Sequence, residues 1–294
     1  MGGFTINYIG VIGSGQMGSG IAHVAATTGI QVKLYDIDAT RIQAAIAGIG
    51  KNMDRQIAKN SLTAEAKEEA LKRITAIDTL DAFADSDLVI EAATENESIK
   101  KEIFGKLKGK LKPEALLASN TSSISITRLA SATDRAEQFI GMHFMNPVPV
   151  MKLVEIIKGL ATSEATFNAV NNLAQSMGKI TAIANDLPGF IVNRILLPMI
   201  NEAVYALYES VGNVESIDTA MKLGSNQPMG PLELADFIGL DTCLAIMQVL
   251  HHELGDSKYR PCPLLVKYVE AGWLGRKSGR GFYVYGGEKP VPTR

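Results

Sequence analysis

Residues 8–36 read YIGVIGSGQMGSGIAHVAATTGIQVKLYD, and this stretch decides the fold of the chain. A short apolar run leads into the pattern Gly13-x-Gly15-x-x-Gly18, a helix-like segment follows, and a second apolar run ends at Asp36. A strand, a glycine-rich turn, a helix and a strand, with an acid about 20 residues beyond the glycines, are typical of a dinucleotide-binding unit. The stretch therefore predicts a Rossmann-type βαβ start.

The three glycines and the start of the helix each have a physical role in holding a dinucleotide. Gly13 allows the tight turn, Gly15 lets the backbone approach a pyrophosphate, and Gly18 lets the helix pack close to the sheet. Gln16 and Met17 lie at the helix N-terminus, which offers unpaired N–H groups and a positive dipole end to phosphates. All five residues are predicted to bind the cofactor.

Asp36 indicates which dinucleotide is bound. Its carboxylate can accept hydrogen bonds from the adenosine ribose hydroxyls, and it would repel a 2′-phosphate. The sequence therefore favours NAD, and NADP is the weaker alternative because Arg41 could still reach a 2′-phosphate. The alternative to the whole interpretation is a tight βα turn in another α/β protein, with Asp36 simply ending a strand.

The composition is that of a soluble globular protein, with 294 residues, 46% apolar and 20% charged, and a net charge of −2. This charge gives no support for a nucleic-acid or membrane partner. The two cysteines, Cys243 and Cys262, lack metal-binding spacing and favour a reducing, cytoplasmic compartment. No apolar run reaches the ~18–20 residues of a membrane span, and the N-terminal residues predict no signal peptide.

Strand and helix signals alternate over the first part of the chain. Helices are predicted over 38–60 and from Thr63 onward. Further strands are predicted over 88–92, 116–119, 139–144, 151–157 and 180–184. This alternation implies an α/β fold with a parallel, doubly wound sheet, which assigns residues 1–186 to a NAD-binding domain.

The pattern changes at the segment Asn185-Asp186-Leu187-Pro188-Gly189, where Pro188 favours a helix start. Beyond it the chain reads as helical, with a long apolar helix over 190–210 and at least one more over 232–254. A helix this apolar needs partners on more than one side. We expect residues 187–294 to form a helical substrate and dimerisation domain that is buried in a homodimer. Packing only on its own sheet is the alternative.

Polar residues follow several predicted strands, and the carboxyl ends of parallel strands form the ligand-binding edge of such sheets. These residues are Glu95, Asn120, Ser122, His143 and Asn146. His143 is the candidate general base among them. An alcohol that passes hydride to NAD must also lose its hydroxyl proton, and a neutral imidazole accepts protons near pH 7.

Glu155 is the predicted partner of His143. It lies in an otherwise apolar strand, and a buried acid is costly unless it is paired. A carboxylate in this position fixes the tautomer of the imidazole and stabilises the imidazolium. The alternative is a surface histidine at a strand end, with the glutamate on a solvent-facing side of its strand.

Several motifs together resemble the 3-hydroxyacyl-CoA dehydrogenase family, and they run in that family's order over nearly the whole chain. They are Asn120-Thr121-Ser122-Ser123, Gly141-x-His143-Phe144-x-Asn146-Pro147, Asp186-x-Pro188-Gly189-Phe190-x-x-Asn193-Arg194, Pro228-Met229-Gly230-Pro231, and Gly275-x-Lys277-x-Gly279-x-Gly281-Phe282-Tyr283. The chain length resembles the short bacterial type that acts on 3-hydroxybutyryl-CoA. The resemblance implies a cytoplasmic, dimeric enzyme of fatty acid metabolism.

The activity that the resemblance implies is the reversible NAD-dependent oxidation of an L-3-hydroxyacyl-CoA to the 3-oxoacyl-CoA. His143 would be the base and Glu155 its orienting partner. Ser122 and Asn193 would hydrogen-bond the 3-oxygen and the thioester region of the substrate. Asn193 would reach across from the second domain, so that the reacting carbon lies between the domains.

Other residues match family positions that line the NAD site or face coenzyme A. The positions at the NAD site are Glu95, Lys100, Asn120, Asn146 and Lys277. Without the resemblance, Lys100 is one charge in a solvated Lys-Lys-Glu run. Lys51, Arg55 and Lys59 are spaced along one helix face, which suits the 3′-phosphate ADP of coenzyme A. A solvated helix face is the alternative for these cations.

Three rival functions stay open at this level. The first is the same fold acting on a free hydroxy acid or sugar acid. The second is a 3-hydroxyisobutyrate-type dehydrogenase, which shares the glycine pattern but uses a lysine base. The third is a non-catalytic NAD-binding protein. The set of His143, Glu155, Ser122 and Asn193 argues against the last two.

Overall fold

The computed structural model describes residues 4–293, so the predicted domain limits at residues 1 and 294 lie outside the described part. The chain divides into two compact units, the first ending at Leu187 and the second beginning at Pro188. Each unit has its own apolar core of buried side chains.

The first unit is built on one eight-stranded sheet within residues 4–187. Its strands are β1 (Tyr8–Ile12), β2 (Gln31–Tyr35), β3 (Ile74–Ile77), β4 (Leu88–Glu91), β5 (Leu116–Ser119), β6 (Phe139–Phe144), β7 (Leu153–Lys158) and β8 (Ile180–Asn185). The strand order is β3-β2-β1-β4-β5-β6-β7-β8. This is the predicted α/β class, and β3 is a short, partly exposed edge strand that the sequence pattern did not indicate.

The helices of the first unit connect the strands and cover the sheet. They are α1 (Gln16–Thr27), α2 (Ala39–Ala58), α3 (Ala64–Lys72), α4 (Glu97–Leu107), α5 (Ile126–Ala130) and α6 (Glu164–Ser176). Side chains cap the N-termini of α2, α3 and α4, where Asp38, Thr63 and Asn96 accept backbone N–H groups. Such caps stabilise a helix start by about 1 kcal/mol each. The helices predicted over 38–60 and from Thr63 onward are therefore confirmed.

One pair of neighbouring strands departs from the parallel pattern. β6 and β7 are antiparallel, whereas β7 and β8 are parallel to each other. Only residues 145–152 connect β6 to β7. A parallel crossover needs a dozen or more residues, so the chain turns back on itself at this point. The expectation of a fully parallel sheet is correct for β1 to β6 and wrong for the last two strands.

The second unit is helical and carries one small hairpin. Its helices are α7 (Val192–Tyr208), α8 (Val214–Gly224), α9 (Pro231–Ile238), α10 (Leu240–Leu254) and α11 (Pro263–Glu270), and the hairpin pairs β9 (Tyr283–Val284) with β10 (Val291–Pro292). Pro188 does not start the first helix as predicted. Gly189 and Phe190 have φ values of +77° and +49°, a left-handed turn that delays the helix to Val192.

Two buried aspartates tie the C-terminal segment to the helices of the second unit. Asp236 accepts hydrogen bonds from the backbone N–H groups of Phe282 and Tyr283, both at 2.9 Å. Asp218 accepts a 2.7 Å bond from the hydroxyl of Tyr283. Burial raises the pKa of both carboxyl groups, although these hydrogen bonds oppose the shift. The glycine-rich motif near the C-terminus therefore has a structural role in this unit.

No single helix among the described residues is long and apolar enough to span a membrane. Helices α9 and α10 reach that length and apolarity only as a pair, with a 98° bend between them.

Candidate active site

The glycine-rich turn after β1 has the geometry that its sequence predicts. Gly13 has a φ of +100°, and an added Cβ would lie 2.6 Å from the carbonyl oxygen of Ala92. At Gly18 an added Cβ would overlap the carbonyl oxygen of Gly13, so only glycine lets α1 start against this turn. No atom lies within 4 Å of a Cβ added at Gly15, so the backbone there is open to a ligand.

A cavity of about 690 Å³ lies at this turn, within the first unit. Its lining includes all five residues predicted from the first motif, namely Gly13, Gly15, Gln16, Met17 and Asp36. The N-cap residue of α1 is Gly15, which has no side chain. The first N–H groups of the helix therefore have no side-chain cap and can donate to a ligand. The open backbone and the helix start fit the pyrophosphate of a dinucleotide.

Asp36 lies just beyond β2 and is joined to the glycine-rich turn. Its Oδ2 accepts hydrogen bonds from the N–H and the hydroxyl of Ser14 at 2.7 and 2.8 Å. Partial burial works against ionisation, but the bonds from Ser14 outweigh it and lower the pKa of Asp36. Arg41 also lines the cavity, and its Nε lies 3.6 Å from Asp38. The lining at Asp36 therefore combines a fixed negative charge with a neighbouring cation.

His143 and Glu155 form a buried pair. They are direct partners in the antiparallel register of β6 and β7, and Nδ1 of His143 lies 2.7 Å from Oε2 of Glu155. The two residues are 7% and 0% exposed, so the alternative of a surface histidine and a solvent-facing glutamate is wrong. An ionised carboxylate only accepts hydrogen bonds, so Nδ1 donates and the lone pair of the neutral ring lies on Nε2.

Residues after β4 and β5 are brought together by the carboxylate of Glu95. Its Oε1 accepts hydrogen bonds from the Thr121 hydroxyl at 2.7 Å and from the N–H and hydroxyl of Ser122 at 2.8 and 3.1 Å. Asn120 joins the ends of β5 and β6, because its Oδ1 accepts the N–H of Phe144 at 2.9 Å. The predicted gathering of these polar residues at one edge of the sheet is therefore observed for this group.

The structure changes the interpretation of Lys100 and adds a residue that the sequence reasoning missed. Lys100 is 1% exposed rather than solvated, and its Nζ lies 2.7 Å from Oε1 of the fully buried Glu91. The signal for Glu91 is an acid in the apolar strand Leu88-Val89-Ile90-Glu91, the same kind of signal that identified Glu155. Neither Lys100 nor Glu95 lines the cavity at the glycine-rich turn.

The remaining predicted residues lie elsewhere in the fold. Asn146 is in the loop between β6 and β7, and Asn193 is buried in the first turn of α7. Lys277 is in the second unit, where its Nζ lies 2.7 Å from Oδ2 of Asp241. Lys51 and Arg55 are exposed on α2, away from its buried stripe. Within residues 4–293, no group of three or more His, Cys, Asp or Glu side chains could hold a metal ion.

Comparisons with known proteins cover both units. The family described as 3-hydroxyacyl-CoA dehydrogenase, NAD binding domain, matches residues 8–187, and its C-terminal domain matches residues 189–285. A 3-hydroxybutyryl-CoA dehydrogenase of Bradyrhizobium diazoefficiens is 66% identical over 289 residues, which cover 98% of this chain and 99% of that protein. A probable 3-hydroxybutyryl-CoA dehydrogenase of Bacillus subtilis is 56% identical, with coverage of 95% and 98%.

Solved structures give the same pattern of similarity. The crystal structure of (S)-3-hydroxybutyryl-CoA dehydrogenase PaaH1 from Ralstonia eutropha has a TM-score of 0.94 and 50% identity, and the match covers 96% of this chain and 100% of that chain. A 3-hydroxybutyryl-CoA dehydrogenase structure from Escherichia coli also has a TM-score of 0.94, at 43% identity, and covers 97% of this chain and 61% of that chain.

Proposed function

The chain belongs to the 3-hydroxyacyl-CoA dehydrogenase family, and from that premise we propose that it oxidises L-3-hydroxybutyryl-CoA reversibly to the 3-oxoacyl-CoA with NAD. The observation that carries the chemical part of the proposal is the 2.7 Å bond between buried His143 and Glu155. The substrate is supported by the names of relatives that are 66% and 56% identical over nearly their whole length.

The proposed mechanism assigns proton removal to His143. Bound NAD supplies the hydride acceptor for the oxidation at C3. The lone pair on Nε2 of His143 accepts the proton of the 3-hydroxyl group, while Nδ1 stays bonded to Glu155. The carboxylate of Glu155 then stabilises the imidazolium. Alignment of the reacting groups contributes ~7–11 kcal/mol to such reactions, and a base adds roughly 10²–10⁴-fold.

We also propose the binding roles that the resemblance implies. Ser122 and Asn193 would hydrogen-bond the 3-oxygen and the thioester region of the substrate. NAD would contact the residues of the glycine-rich turn together with Glu95, Asn120, Asn146 and Lys277, whereas Lys100, which is 1% exposed, would act on the NAD site through Glu95. The helices of the second unit would form a homodimer. A cytoplasmic location is proposed on the two buried, unpaired thiols of Cys243 and Cys262.

Charge reversal on α2 tests whether the substrate is a coenzyme A ester. We expect Lys51→Glu with Arg55→Glu to raise KM for 3-hydroxybutyryl-CoA at least about tenfold, because two attractive charges facing phosphates become repulsive. Oxidation of free 3-hydroxybutyrate should not change. NADH formation is measured with both substrates, and Lys72→Glu on α3 is the matched control because Lys72 is also an exposed helix cation. Equal rates on ester and free acid in the unmodified enzyme would instead favour a free hydroxy acid or sugar acid as substrate.

The selection of NAD over NADP is tested at Asp36. We expect Asp36→Ser to raise the ratio of kcat/KM for NADP to that for NAD at least about tenfold, because the charge that repels a 2′-phosphate is removed while Arg41 stays at the cavity. Initial rates with each cofactor give this ratio. Asp54→Asn is the control, since Asp54 is an exposed acid on α2 that does not line the cavity and does not contact Arg41. A ratio that stays unchanged in Asp36→Ser would contradict the assignment.

A further inference from the structure

Glu91 is a fully buried carboxylate whose two oxygens serve different parts of the first unit. Oε1 accepts hydrogen bonds from the N–H of Ala93 and from the Nζ of Lys100, both at 2.7 Å. Oε2 accepts the hydroxyl of Ser119 at 2.6 Å. A buried charge is costly to desolvate, and this one is matched by one cation and two neutral donors. The Glu91 carboxylate therefore joins three segments of the chain: the loop after β4, helix α4 and the end of β5.

The first connection runs from Glu91 through Lys100 to Glu95. The Nζ of Lys100 lies 3.6 Å from Oε2 of Glu95 and closer, at 2.7 Å, to Glu91. One ammonium group is thus shared unequally by two carboxylates. The side chain of Glu95 is 40% exposed. Partial desolvation opposes its charged form, but the Lys100 charge and the hydrogen bonds from Thr121 and Ser122 outweigh this and lower the pKa of Glu95. Glu95 therefore remains a charged acceptor for these donors.

Glu95 holds the segment that follows β5 through a single oxygen. Oε1 lies 2.7 to 3.2 Å from five donors, which share its lone pairs: the hydroxyl of Thr121 and both the N–H and the hydroxyl of Ser122 and Ser123. Its other oxygen faces Lys100. The interaction of Oε2 with Lys100 therefore orients the Glu95 carboxylate, and this orientation sets the position of the Ser122 N–H bonded to Oε1.

The second connection runs from Glu91 through Ser119. The two residues are register partners on β4 and β5. While the Ser119 hydroxyl donates to Glu91, its oxygen accepts the N–H of Thr121 at 3.3 Å. Glu91 is therefore connected to the segment that carries Ser122 in two ways. One runs through Ser119 at the end of β5, and the other runs through Lys100 and Glu95.

We propose that Glu91 is a positioning residue for Ser122, acting through the Lys100–Glu95 pair and through Ser119. The inference rests on the proposed function, in which the Ser122 hydroxyl turns its one proton from Glu95 to the 3-oxygen of the substrate, while the Ser122 N–H stays bonded to Glu95. Without the Glu91 charge, Lys100 turns fully toward Glu95 and draws that carboxylate away from Ser122. The hydroxyl is then displaced from the substrate oxygen, although Ser122 itself is unchanged.

A double-mutant cycle between Glu91 and Ser122 tests this inference. We expect Glu91→Gln to lower kcat for 3-hydroxybutyryl-CoA oxidation about tenfold, because small misplacements of positioning groups are costly to catalysis. Ser122→Ala should lower kcat at least as much. The double variant should match Ser122→Ala alone within about twofold, because the displaced hydroxyl is already absent. A merely structural role of Glu91 predicts that the two losses multiply.

Asp87→Asn is the matched control, since Asp87 precedes the same strand at its other end. It is also buried, and it accepts the Nζ of Lys112 and the N–H groups of Asn7 and Tyr8. Asp87→Asn should lower thermal stability as Glu91→Gln does. When it is combined with Ser122→Ala, the losses of kcat from the two changes should multiply. Should Glu91→Gln fail to fold, the same cycle uses Glu91→Asp, which keeps the buried charge and shortens its reach to Lys100 and Ser119.

The outcomes separate the two levels of the proposal. Multiplying losses in the Glu91 and Ser122 cycle overturn the positioning role of Glu91 and leave the proposed function intact. Wild-type rates in Ser122→Ala overturn the proposed contact between Ser122 and the substrate, and the positioning role with it. The inference is supported if the kcat loss of Glu91→Gln does not multiply with that of Ser122→Ala, whereas the loss of Asp87→Asn does.

Discussion

His143→Gln is expected to reduce kcat at least about a hundredfold while leaving the affinity for NAD unchanged. The amide of glutamine can still donate a hydrogen bond to Glu155, so the buried carboxylate keeps a partner and the fold is maintained. The variant lacks the basic nitrogen that would accept the hydroxyl proton. His143 does not line the cavity at the glycine-rich turn, so the site for the dinucleotide should be unaffected.

The measurement combines turnover with binding. NADH formation at saturating 3-hydroxybutyryl-CoA gives kcat, and a fluorescence titration with NADH gives the dissociation constant. His251→Gln is the control, because His251 is an exposed histidine in the last turn of α10. A His143→Gln variant that retains most of its turnover would remove the assignment of the base.

Glu155→Gln is expected to lower kcat at least about tenfold, because losing a carboxylate that orients an imidazole costs ~10–100-fold at metal sites and ~10⁴-fold in a Ser-His-Asp triad. The glutamine amide can donate to Nδ1, which places the ring proton on Nε2. The nitrogen that should accept the substrate proton is then already protonated. Glu155 is fully buried, so the change also costs about 1–3 kcal/mol of folding free energy.

Two measurements separate these effects of Glu155→Gln. Steady-state kinetics give kcat at a temperature where the variant is fully folded, and thermal unfolding gives the loss of stability. Glu164→Gln serves as the control, because Glu164 is an exposed acid at the start of α6. A variant that loses stability but keeps kcat within about twofold would show that Glu155 only supports the fold.

Local backbone requirements made much of the first unit predictable. The glycine spacing demands a turn with a positive φ at Gly13 and no Cβ at Gly18, and the structure shows both. The family inferred from the motifs is confirmed by matches to residues 8–187 and 189–285. Capping residues such as Thr63 likewise act within a few positions along the chain. Such features can be predicted from the sequence because the interacting residues are only a few positions apart along the chain.

Strand direction and helix starts were less predictable. Reading β7 as one more parallel strand followed from the alternation of elements, but the short connection after β6 makes it antiparallel. That reversal is what sets Glu155 opposite His143 in the register. Pro188 looked like a helix start, but the left-handed turn at Gly189 and Phe190 moves the start to Val192.

The sequence by itself determined the dinucleotide turn, the α/β class, the helical second unit and the family, because each depends on local patterns or on motifs in a fixed order. Only the tertiary structure decided that Lys100 is buried against Glu91, and that one oxygen of Glu95 gathers the segment around Ser122. These contacts join residues from separate strands and loops. Their energies depend on burial and on pairing across the sheet, and neither is encoded in the spacing of a charged residue along the chain.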